Sequence, residues 1–327
     1  MAVELTDAFG RVHRDLRISV TDRCSFRCTY CMPEDGLPWL PREQVLTFEE
    51  IERVARLCVE RFGFRSIRLT GGEPTVRASL PTLVGQLAAL DVDLSMTTNG
   101  ATLGVLAPAL KAAGLRRVNV SCDSLRRDRF AALTRRDALP AVLDGIEAAL
   151  EAGLSPVKVN CVLMRGVNDD EIVDFAAFGR AQGVEVRFIE FMPLDADHAW
   201  ERGSVVPGER IVATIDAAFP LRPEGRGSEP AETWAYVDGG GRVGVVPSVT
   251  APFCSRCDRV RLTADGRLRN CLFSVEETDL RALLRDGAGD DDLADAVRRC
   301  VADKAAGHGI GTATFVAPPR SMSQIGG

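Results

Sequence analysis

Six short runs rich in apolar residues recur between residues 15 and 192, each followed by a segment with helical spacing. The helix after the first run begins with a capping box formed by Thr47 and Glu50. Strands that alternate with helices in this way predict βαβ units and a parallel sheet. We expect strands at 15–21, 65–71, 92–99, 116–123, 156–164 and 184–192, and further helices at 79–90, 102–113, 139–152 and 169–182.

The predicted strands have one apolar and one polar face. In LRISVT (16–21) and VNVSCD (118–123), every second residue is polar. Parallel strands are usually buried on both faces and read as continuous apolar runs, and a closed eight-stranded barrel is filled with branched apolar side chains. The pattern therefore predicts an α/β fold with an incomplete (β/α)6 TIM-like barrel around a large polar ligand. An open sheet with one solvated face is the alternative.

The pattern changes after about residue 195, where Gly, Pro and charged residues become frequent and Gly-rich and Asp-Gly turns separate short apolar runs. We therefore predict two units, a partial barrel over residues 1–204 and a C-terminal α+β region over residues 205–327. In the second unit and the segment that leads into it, we expect loops at 194–210 and 222–232, hairpins at 233–247 and 258–273, and helices near 277–285 and 291–304.

The composition, 46% hydrophobic and 26% charged, supplies a full globular core. No apolar run approaches the roughly 18 residues that span a bilayer, and the first twenty residues lack the basic start and apolar core of a secretory signal. We therefore expect a cytoplasmic protein without a membrane partner. The net charge of −6 argues against a nucleic-acid binder, which is usually basic, whereas a local arginine cluster can still attract a small anion.

Ten cysteines in a cytoplasmic chain need an explanation other than disulfides. Cys24, Cys28 and Cys31 form a C-x3-C-x2-C triplet just after the first predicted strand, at the end of the sheet where α/β ligand sites form. Three thiolates can hold three irons of a [4Fe–4S] cluster and leave the fourth iron open to a small molecule, whereas structural zinc usually takes four ligands. A zinc site, or a redox pair with a bystander cysteine, is the alternative.

A second triplet, Cys254, Cys257 and Cys271, has the spacing C-x2-C-x13-C. Zinc completed by His308 is the simplest alternative to a second cluster there. The isolated His13 and His198 receive no role. The other cysteines are expected to be small buried hydrophobes: Cys58, Cys122, Cys161 and Cys300.

CSFRCTYC (24–31) resembles the C-x3-C-x-aromatic-C signature of radical S-adenosylmethionine enzymes, and LTGGEP (69–74) resembles their glycine-rich motif for the amino group of S-adenosylmethionine. With FCSRCDRVRLTADGRLRNCLF (253–273), the resemblance narrows to the GTP 3′,8-cyclase family of molybdenum-cofactor (molybdopterin) biosynthesis and runs nearly end to end. Ser25 and Asp258 stand where the family more often has asparagine, at loop positions that leave the resemblance intact. Further blocks follow in order: TTNG, NVSCDSL, VKVNCVLMRGVND, RFIEFMP and the terminal GG.

The resemblance implies two [4Fe–4S] clusters and S-adenosylmethionine as cofactors. S-adenosylmethionine would chelate the open iron of the first cluster and yield a 5′-deoxyadenosyl radical that takes the C3′ hydrogen of GTP, after which C3′ bonds to C8 of guanine. The open iron of the second cluster would bind the guanine ring. Two alternatives stay open: another radical S-adenosylmethionine enzyme with an auxiliary cluster, and an iron–sulfur or zinc module without catalysis.

The resemblance also implies partners and side-chain roles. The partners would be GTP, an electron donor, a downstream cyclic pyranopterin monophosphate synthase and a second copy in a homodimer, and the Gly326–Gly327 tail would reach into the site. The metal ligands would be Cys24, Cys28, Cys31, Cys254, Cys257 and Cys271. The residues in contact with S-adenosylmethionine would be Tyr30, Gly72, Glu73, Ser121 and Met192. The residues in contact with GTP would be Arg17, Arg68, Thr97, Lys158, Arg259, Val260 and Arg261, and Arg17, Arg259 and Arg261 would also serve catalysis.

Overall fold

The computed structural model describes residues 3–195, 199–227, 229–313 and 315–326. Its first six strands are β1 (Asp15–Ser19), β2 (Ser66–Thr70), β3 (Asp93–Thr98), β4 (Arg117–Ser121), β5 (Val157–Leu163) and β6 (Glu185–Glu190). They lie side by side in chain order, and every neighbouring pair is parallel. The six strands predicted from the alternating runs are thus confirmed.

Helices connect these strands, as the βαβ pattern requires. They are α1 (Phe48–Phe62), α2 (Leu80–Ala88), α3 (Leu103–Ala112), α4 (Arg127–Thr134), α5 (Leu139–Glu151) and α6 (Ile172–Gln182). The capping box of α1 is present, since the Thr47 hydroxyl accepts from the Glu50 N–H at 3.2 Å and the Thr47 N–H donates to the Glu50 carboxylate at 2.7 Å. The sequence analysis does not predict α4, because its eight residues bury few side chains and its charged start hides the helical period.

The remaining strands come from the C-terminal third and extend both edges of the sheet. They are β7 (Leu221–Gly225), β8 (Glu232–Tyr236), β9 (Arg242–Val246), β10 (Arg259–Leu262), β11 (Arg267–Arg269) and β12 (Thr278–Asp279), with α7 (Gly208–Ala218), α8 (Leu280–Arg285), α9 (Asp290–Ala302) and α10 (Met322–Ile325). β9 pairs with β6 and β10 pairs with β1, both in parallel. The neighbours of β1 are therefore β10 and β2, so the six-stranded barrel is incomplete, as predicted.

Both predicted hairpins are present, as β8–β9 and β10–β11. The loop predicted over 222–232 is wrong in part, because β7 and the first residue of β8 lie in it. β7 is an edge strand whose residues after Leu221 are exposed, so it lacks the apolar alternation that identifies buried strands. The loop predicted over 194–210 also contains the first turn of α7.

The apolar strand faces pack against the helices in one core. No helix in the described ranges has both the length and the apolar character that crossing a membrane requires. His198 and Gly327 lie outside the described residues, and the domain boundary at residue 204 stays a prediction. Four cysteines predicted to be hydrophobic packing residues are buried and free, as expected: Cys58, Cys122, Cys161 and Cys300.

Candidate active site

The polar strand faces and both cysteine triplets line one cavity of about 270 Å³. Residues of β1 to β6 line the cavity together with β10 and the loops that carry the two triplets. The predicted site residues that line it are Arg17, Cys24, Cys28, Tyr30, Cys31, Arg68, Gly72, Glu73, Thr97, Ser121, Met192, Cys254, Cys257, Arg259, Arg261 and Cys271.

The glycine-rich segment after β2 fixes the start of the loop that carries the first triplet. The Gly72 N–H donates to the Thr21 carbonyl at 2.8 Å, and the Glu73 N–H donates to the Arg23 carbonyl at 2.7 Å. A Cβ atom at Gly72 would lie 2.4 Å from the Arg23 carbonyl oxygen. Glycine is therefore required here by the close approach of two backbones, in addition to any contact with a ligand.

The Glu73 carboxylate, predicted to meet the amino group of S-adenosylmethionine, lies at the cavity wall and is buried. It accepts hydrogen bonds from the Thr98 hydroxyl at 2.7 Å and the Asn99 N–H at 2.6 Å, and two more from Thr75. Burial raises the pKa of Glu73, and the hydrogen bonds oppose that shift. These bonds join the end of β2 to the end of β3, so Glu73 also has a structural role.

Tyr30, between the second and third cysteines, is anchored by a residue that the sequence analysis places on the polar strand face without assigning it a role. The Tyr30 hydroxyl donates to Asp123 Oδ2 at 2.6 Å, and the Val162 N–H donates to Asp123 Oδ1 at 2.8 Å. Burial raises the pKa of Asp123 to about 6, against the lowering by both hydrogen bonds. Burial, followed by the charge of Asp123, also raises the pKa of Cys28.

The two triplets fit iron–sulfur clusters better than single ions. All six thiols are free and face one cavity. Each thiolate of a [4Fe–4S] cluster binds a different iron, so its cysteines lie further apart than the ligands of one ion. Within the described ranges, no three Cys, His, Asp or Glu side chains converge closely enough to hold a single metal ion.

His308 does not suit the zinc alternative at the second triplet. Its Nδ1 accepts from the Ile310 N–H at 3.1 Å, so Nε2 carries the proton and donates to the Ser248 carbonyl at 2.9 Å. Burial lowers the pKa of His308, which favours this neutral form. With both ring nitrogens engaged, His308 shapes the cavity wall and is not poised as a fourth ligand.

Three arginines form a row across adjacent strands between the two triplets. Arg17 of β1 is in register with Arg261 of β10 on one side and with Arg68 of β2 on the other. Like charges side by side in a sheet are destabilising, and burial, followed by the charge of Arg68, lowers the pKa of Arg17 well below its usual value. Among the described residues, neither Arg17 Nε nor Arg261 Nε has a hydrogen-bond partner. Such a row is suited to a polyanionic ligand.

Lys158 and Val260 do not line the cavity wall with the others. Lys158 is buried near the start of β5, and its Nζ lies 3.3 Å from the Glu229 carboxylate. Burial lowers the pKa of Lys158, and the neighbouring Arg187 lowers it further. Val260 is fully buried between Arg259 and Arg261 with its side chain on the opposite face of β10, so only its backbone is available to a ligand.

Several residues of this region were not predicted from the sequence. Arg187 lines the cavity from β6, and the alternation of Val186, Arg187 and Phe188 was the signal that could have found it. Glu229 offered no signal, because it lies in the predicted loop 222–232. Its carboxylate contacts Arg187 as well as Lys158, and although burial raises its pKa, these cations bring the pKa of Glu229 to about 2.

The C-terminal tail reaches the carboxyl ends of the first two strands. A Cβ atom at Gly326 would lie 2.5 Å from Thr70 Oγ1 and 3.0 Å from Ser19 Cβ, and the φ of Gly326 is +81°. Met322 and Ser323 of α10 line the cavity. Both the left-handed backbone and the close approach require glycine at this position of the tail.

Comparisons with known proteins agree with this geometry. Residues 18–179 match the radical SAM superfamily, and residues 184–310 match a family described as Molybdenum Cofactor Synthesis C. The chain is 53% identical to a GTP 3′,8-cyclase of Streptomyces coelicolor over 99% of its own length and 96% of that protein. It is 49% identical to a GTP 3′,8-cyclase of Corynebacterium glutamicum, over 99% of this chain and 89% of that protein.

Solved structures show the same fold at low identity. The structure described as native anSMEcpe with bound AdoMet superposes with a TM-score of 0.58 at 14% identity, over 94% of this chain and 93% of that one. The resemblance to radical S-adenosylmethionine enzymes is therefore confirmed, and with it the two [4Fe–4S] clusters and S-adenosylmethionine as cofactors. Two family matches, one in each part of the chain, and a relative that is 53% identical over nearly the full length agree with each other. This chain therefore belongs to the GTP 3′,8-cyclase family of radical S-adenosylmethionine proteins.

Proposed function

We propose that this chain converts GTP to (8S)-3′,8-cyclo-7,8-dihydroguanosine 5′-triphosphate, the first step of molybdopterin biosynthesis. The observation that carries the proposal is the row Arg261–Arg17–Arg68, which brings three buried cations together between two cysteine triplets. A triphosphate supplies the missing negative charge, and guanidinium groups offer it paired hydrogen bonds. The full-length similarity to GTP 3′,8-cyclases supports the same substrate.

In the proposed complex, the two ends of GTP contact different parts of the site. Arg68 and Lys158 lie on the barrel strands and bind the triphosphate together with Arg17. Arg259 lies beside the second triplet on β10 and holds the guanine end, whereas Arg261 on the same strand is in register with Arg17 and completes the row at the triphosphate. Thr97 lines the wall from β3, the strand next to the one that carries Arg68. The ribose is thereby held between the first and the second triplet.

S-adenosylmethionine is proposed to bind beside the first triplet. Tyr30, Gly72, Glu73, Ser121 and Met192 surround Cys24, Cys28 and Cys31 at the same cavity wall. When bound, the first cluster and S-adenosylmethionine supply the radical that removes a hydrogen from C3′ of the ribose. The chain holds S-adenosylmethionine and GTP at a fixed distance from each other. Holding two reactants in the right geometry supplies a large share of the rate enhancement in such reactions.

Exclusion of water is the second contribution of the chain. Gly326 lies against Ser19 and Thr70, and α10 covers the cavity beside the first triplet. A site covered by the tail keeps water away from the reacting groups. We propose that the tail closes over bound GTP.

The other partners follow from the proposed reaction. The reaction requires an electron donor, and its product is a substrate for cyclic pyranopterin monophosphate synthase. We also propose that the chain forms a homodimer. Its partial-barrel unit is proposed to end near residue 204.

One anaerobic reaction tests the function. The protein is reconstituted with iron and sulfide and given a reductant, S-adenosylmethionine and GTP, and the products are identified by mass spectrometry. We expect 5′-deoxyadenosine together with a cyclised isomer of GTP. 5′-Deoxyadenosine without that isomer would reject GTP as the substrate, and neither product from protein holding both clusters would reject the radical reaction.

A further inference from the structure

Lys304 is a buried lysine beside the second triplet for which neither the family nor the proposed function provides a role. We propose that Lys304 is a positioning residue for the second iron–sulfur cluster, and that its ammonium group stabilises the reduced form of that cluster and makes it easier to reduce than the first. The proposal rests on the proposed function only in that Cys254, Cys257 and Cys271 hold a [4Fe–4S] cluster.

The ammonium group of Lys304 donates its hydrogen bonds to the second cysteine loop. The residue lies just beyond α9 and is 3% exposed. Its Nζ lies 2.9 Å from the Arg259 carbonyl, 3.3 Å from the Cys257 carbonyl and 3.5 Å from Cys257 Sγ. Three acceptors match the three protons of an ammonium group, so Lys304 is fully engaged by the segment Cys257–Arg259.

The charge of Lys304 has no carboxylate to balance it. Across the described ranges, no Asp or Glu oxygen lies within 4.0 Å of Lys304 Nζ. A buried charge is costly unless it is paired. The sulfur of Cys257 is the one acceptor of Lys304 that can carry a full negative charge, and a cluster bound through that sulfur is the natural counter-ion.

The N-terminal segment holds Lys304 in place. The Arg11 guanidinium donates to the Ala305 carbonyl at 2.7 Å, to the Ala306 carbonyl at 3.1 Å and to the Cys254 carbonyl at 2.9 Å. Asp7 in turn accepts from Arg11 Nε at 2.6 Å. The segment after α9 and the second cysteine loop are thus fixed to each other, which keeps the ammonium at a constant distance from Cys257.

The two triplets differ in their charged surroundings. Cys257 Sγ is near two cations, Lys304 at 3.5 Å and Arg259 Nη2 at 3.3 Å. For the first triplet, within the described residues, no lysine or arginine nitrogen donates to a cysteine sulfur. Arg27 donates to the Cys24 carbonyl at 2.8 Å, and the Asp123 carboxylate lies nearby, bound to Tyr30. Reduction adds one negative charge to a cluster, and nearby charges and hydrogen bonds to sulfur set its potential. The second cluster therefore has the more positive potential.

The test measures the reduction midpoint of the second cluster without substrate. The full chain is prepared with Cys24, Cys28 and Cys31 replaced by serine, reconstituted, and titrated with EPR detection. Lys304→Met is expected to lower the midpoint potential by about 59 mV, which is about a tenfold change in the equilibrium constant for one-electron reduction. Lys304→Arg, which keeps the charge, is expected to stay close to the parent chain.

A matched control comes from a second lysine. Lys111 donates to the Gly153 carbonyl at 2.6 Å on the exposed side of the barrel, so Lys111→Met is expected to leave the midpoint unchanged. An unchanged midpoint in Lys304→Met, with four irons bound, would overturn the proposal. A first cluster that is reduced at the more positive potential in the otherwise unaltered chain would also overturn it.

A second variant covers failure of cluster assembly. If Lys304→Met does not retain iron, Lys304→Gln is titrated, because its amide can still donate to the loop carbonyls. A third outcome is that neither neutral variant retains iron, whereas Lys304→Arg retains it and has the midpoint potential of the parent chain. The lysine then serves cluster assembly only, and the proposed effect on the potential is overturned. Iron content and EPR report on the cluster alone, so these outcomes are independent of whether GTP is the substrate.

Discussion

The Glu229 carboxylate lies 3.3 Å from Nζ of Lys158, and it also contacts the Arg187 guanidinium. Both cations project from barrel strands, whereas Glu229 comes from the connection between β7 and β8. Lys158 is one of the residues proposed to bind the triphosphate. In the proposed complex, the triphosphate therefore competes with this carboxylate for Lys158.

Replacing this carboxylate is expected to strengthen GTP binding. In Glu229→Gln the two cations keep Glu185 but lose Glu229 as a carboxylate partner, and loss of a partly exposed ion pair corresponds to about 1 kcal/mol, or about a fivefold lower KM for GTP. Steady-state kinetics with wild type and variant measure the change. Glu224→Gln is the matched control, because Glu224 pairs with Arg242 at the surface of the same hairpin. An unchanged KM in Glu229→Gln would show that the carboxylate leaves the substrate site free.

Arg17 lies in the middle of the arginine row, so its removal should affect GTP more than S-adenosylmethionine. Loss of hydrogen bonds from a buried cation to a phosphate costs about 2 to 3 kcal/mol, so Arg17→Ala is expected to lower kcat/KM for GTP about 30- to 150-fold. Binding of S-adenosylmethionine, measured by calorimetry, should stay within about twofold. The exposed Arg242→Ala serves as control, and equal losses for both ligands would contradict the assignment.

Gly72 should be required for the first cluster to assemble. In Gly72→Ala the new Cβ would meet the carbonyl oxygens of Arg23 and Asp22 at 2.4 and 2.5 Å, so the loop with the first triplet must move. We expect the reconstituted variant to lose about half of its iron, since each cluster holds four. Gly104→Ala, at a helical position with no heavy atom within 4 Å of the new Cβ, should keep all its iron. Full iron content in Gly72→Ala would contradict this account.

Much of the site could be predicted because its signals are local. Cysteine spacing identifies both triplets, and the alternation in β1 and β2 places Arg17 and Arg68 on a polar face. The pairing of Arg17 with Arg261 could not be predicted in the same way. It depends on a parallel register between β1 and β10, which are more than 200 residues apart in the chain, and no local pattern specifies such a contact.

Two of the residues that were missed, Glu229 and Lys304, lie where local patterns fail. Glu229 belongs to a Gly- and Pro-rich segment that reads as an ordinary loop. Lys304 ends a helical pattern and has the appearance of a solvated last-turn cation, yet folding buries it against Cys257. In both cases the function of the side chain depends on the element packed against it and not on its sequence neighbours.

His13 predicts a pH dependence of stability in the cluster-free chain. Burial, followed by the charge of Lys304, lowers the pKa of His13 to about 4. The unfolded chain takes up a proton below about pH 6.5 and the folded chain only near pH 4, so stability present above pH 6.5 is lost as the pH falls through this window. The loss is expected to be up to about 3 kcal/mol. Urea unfolding at pH 7, 5.5 and 4 measures it, and His13→Gln should show a smaller dependence; equal slopes would contradict the buried neutral state.

The central claim is that the chain holds C3′ of GTP beside the radical source, and the fate of one hydrogen tests it most directly. GTP carrying deuterium at C3′ is given to the reduced, reconstituted protein with S-adenosylmethionine under anaerobic conditions. We expect mass spectrometry to find one deuterium in 5′-deoxyadenosine and a cyclised product that has lost it. Unlabelled 5′-deoxyadenosine accompanied by a GTP-derived product that retains the deuterium would contradict the account.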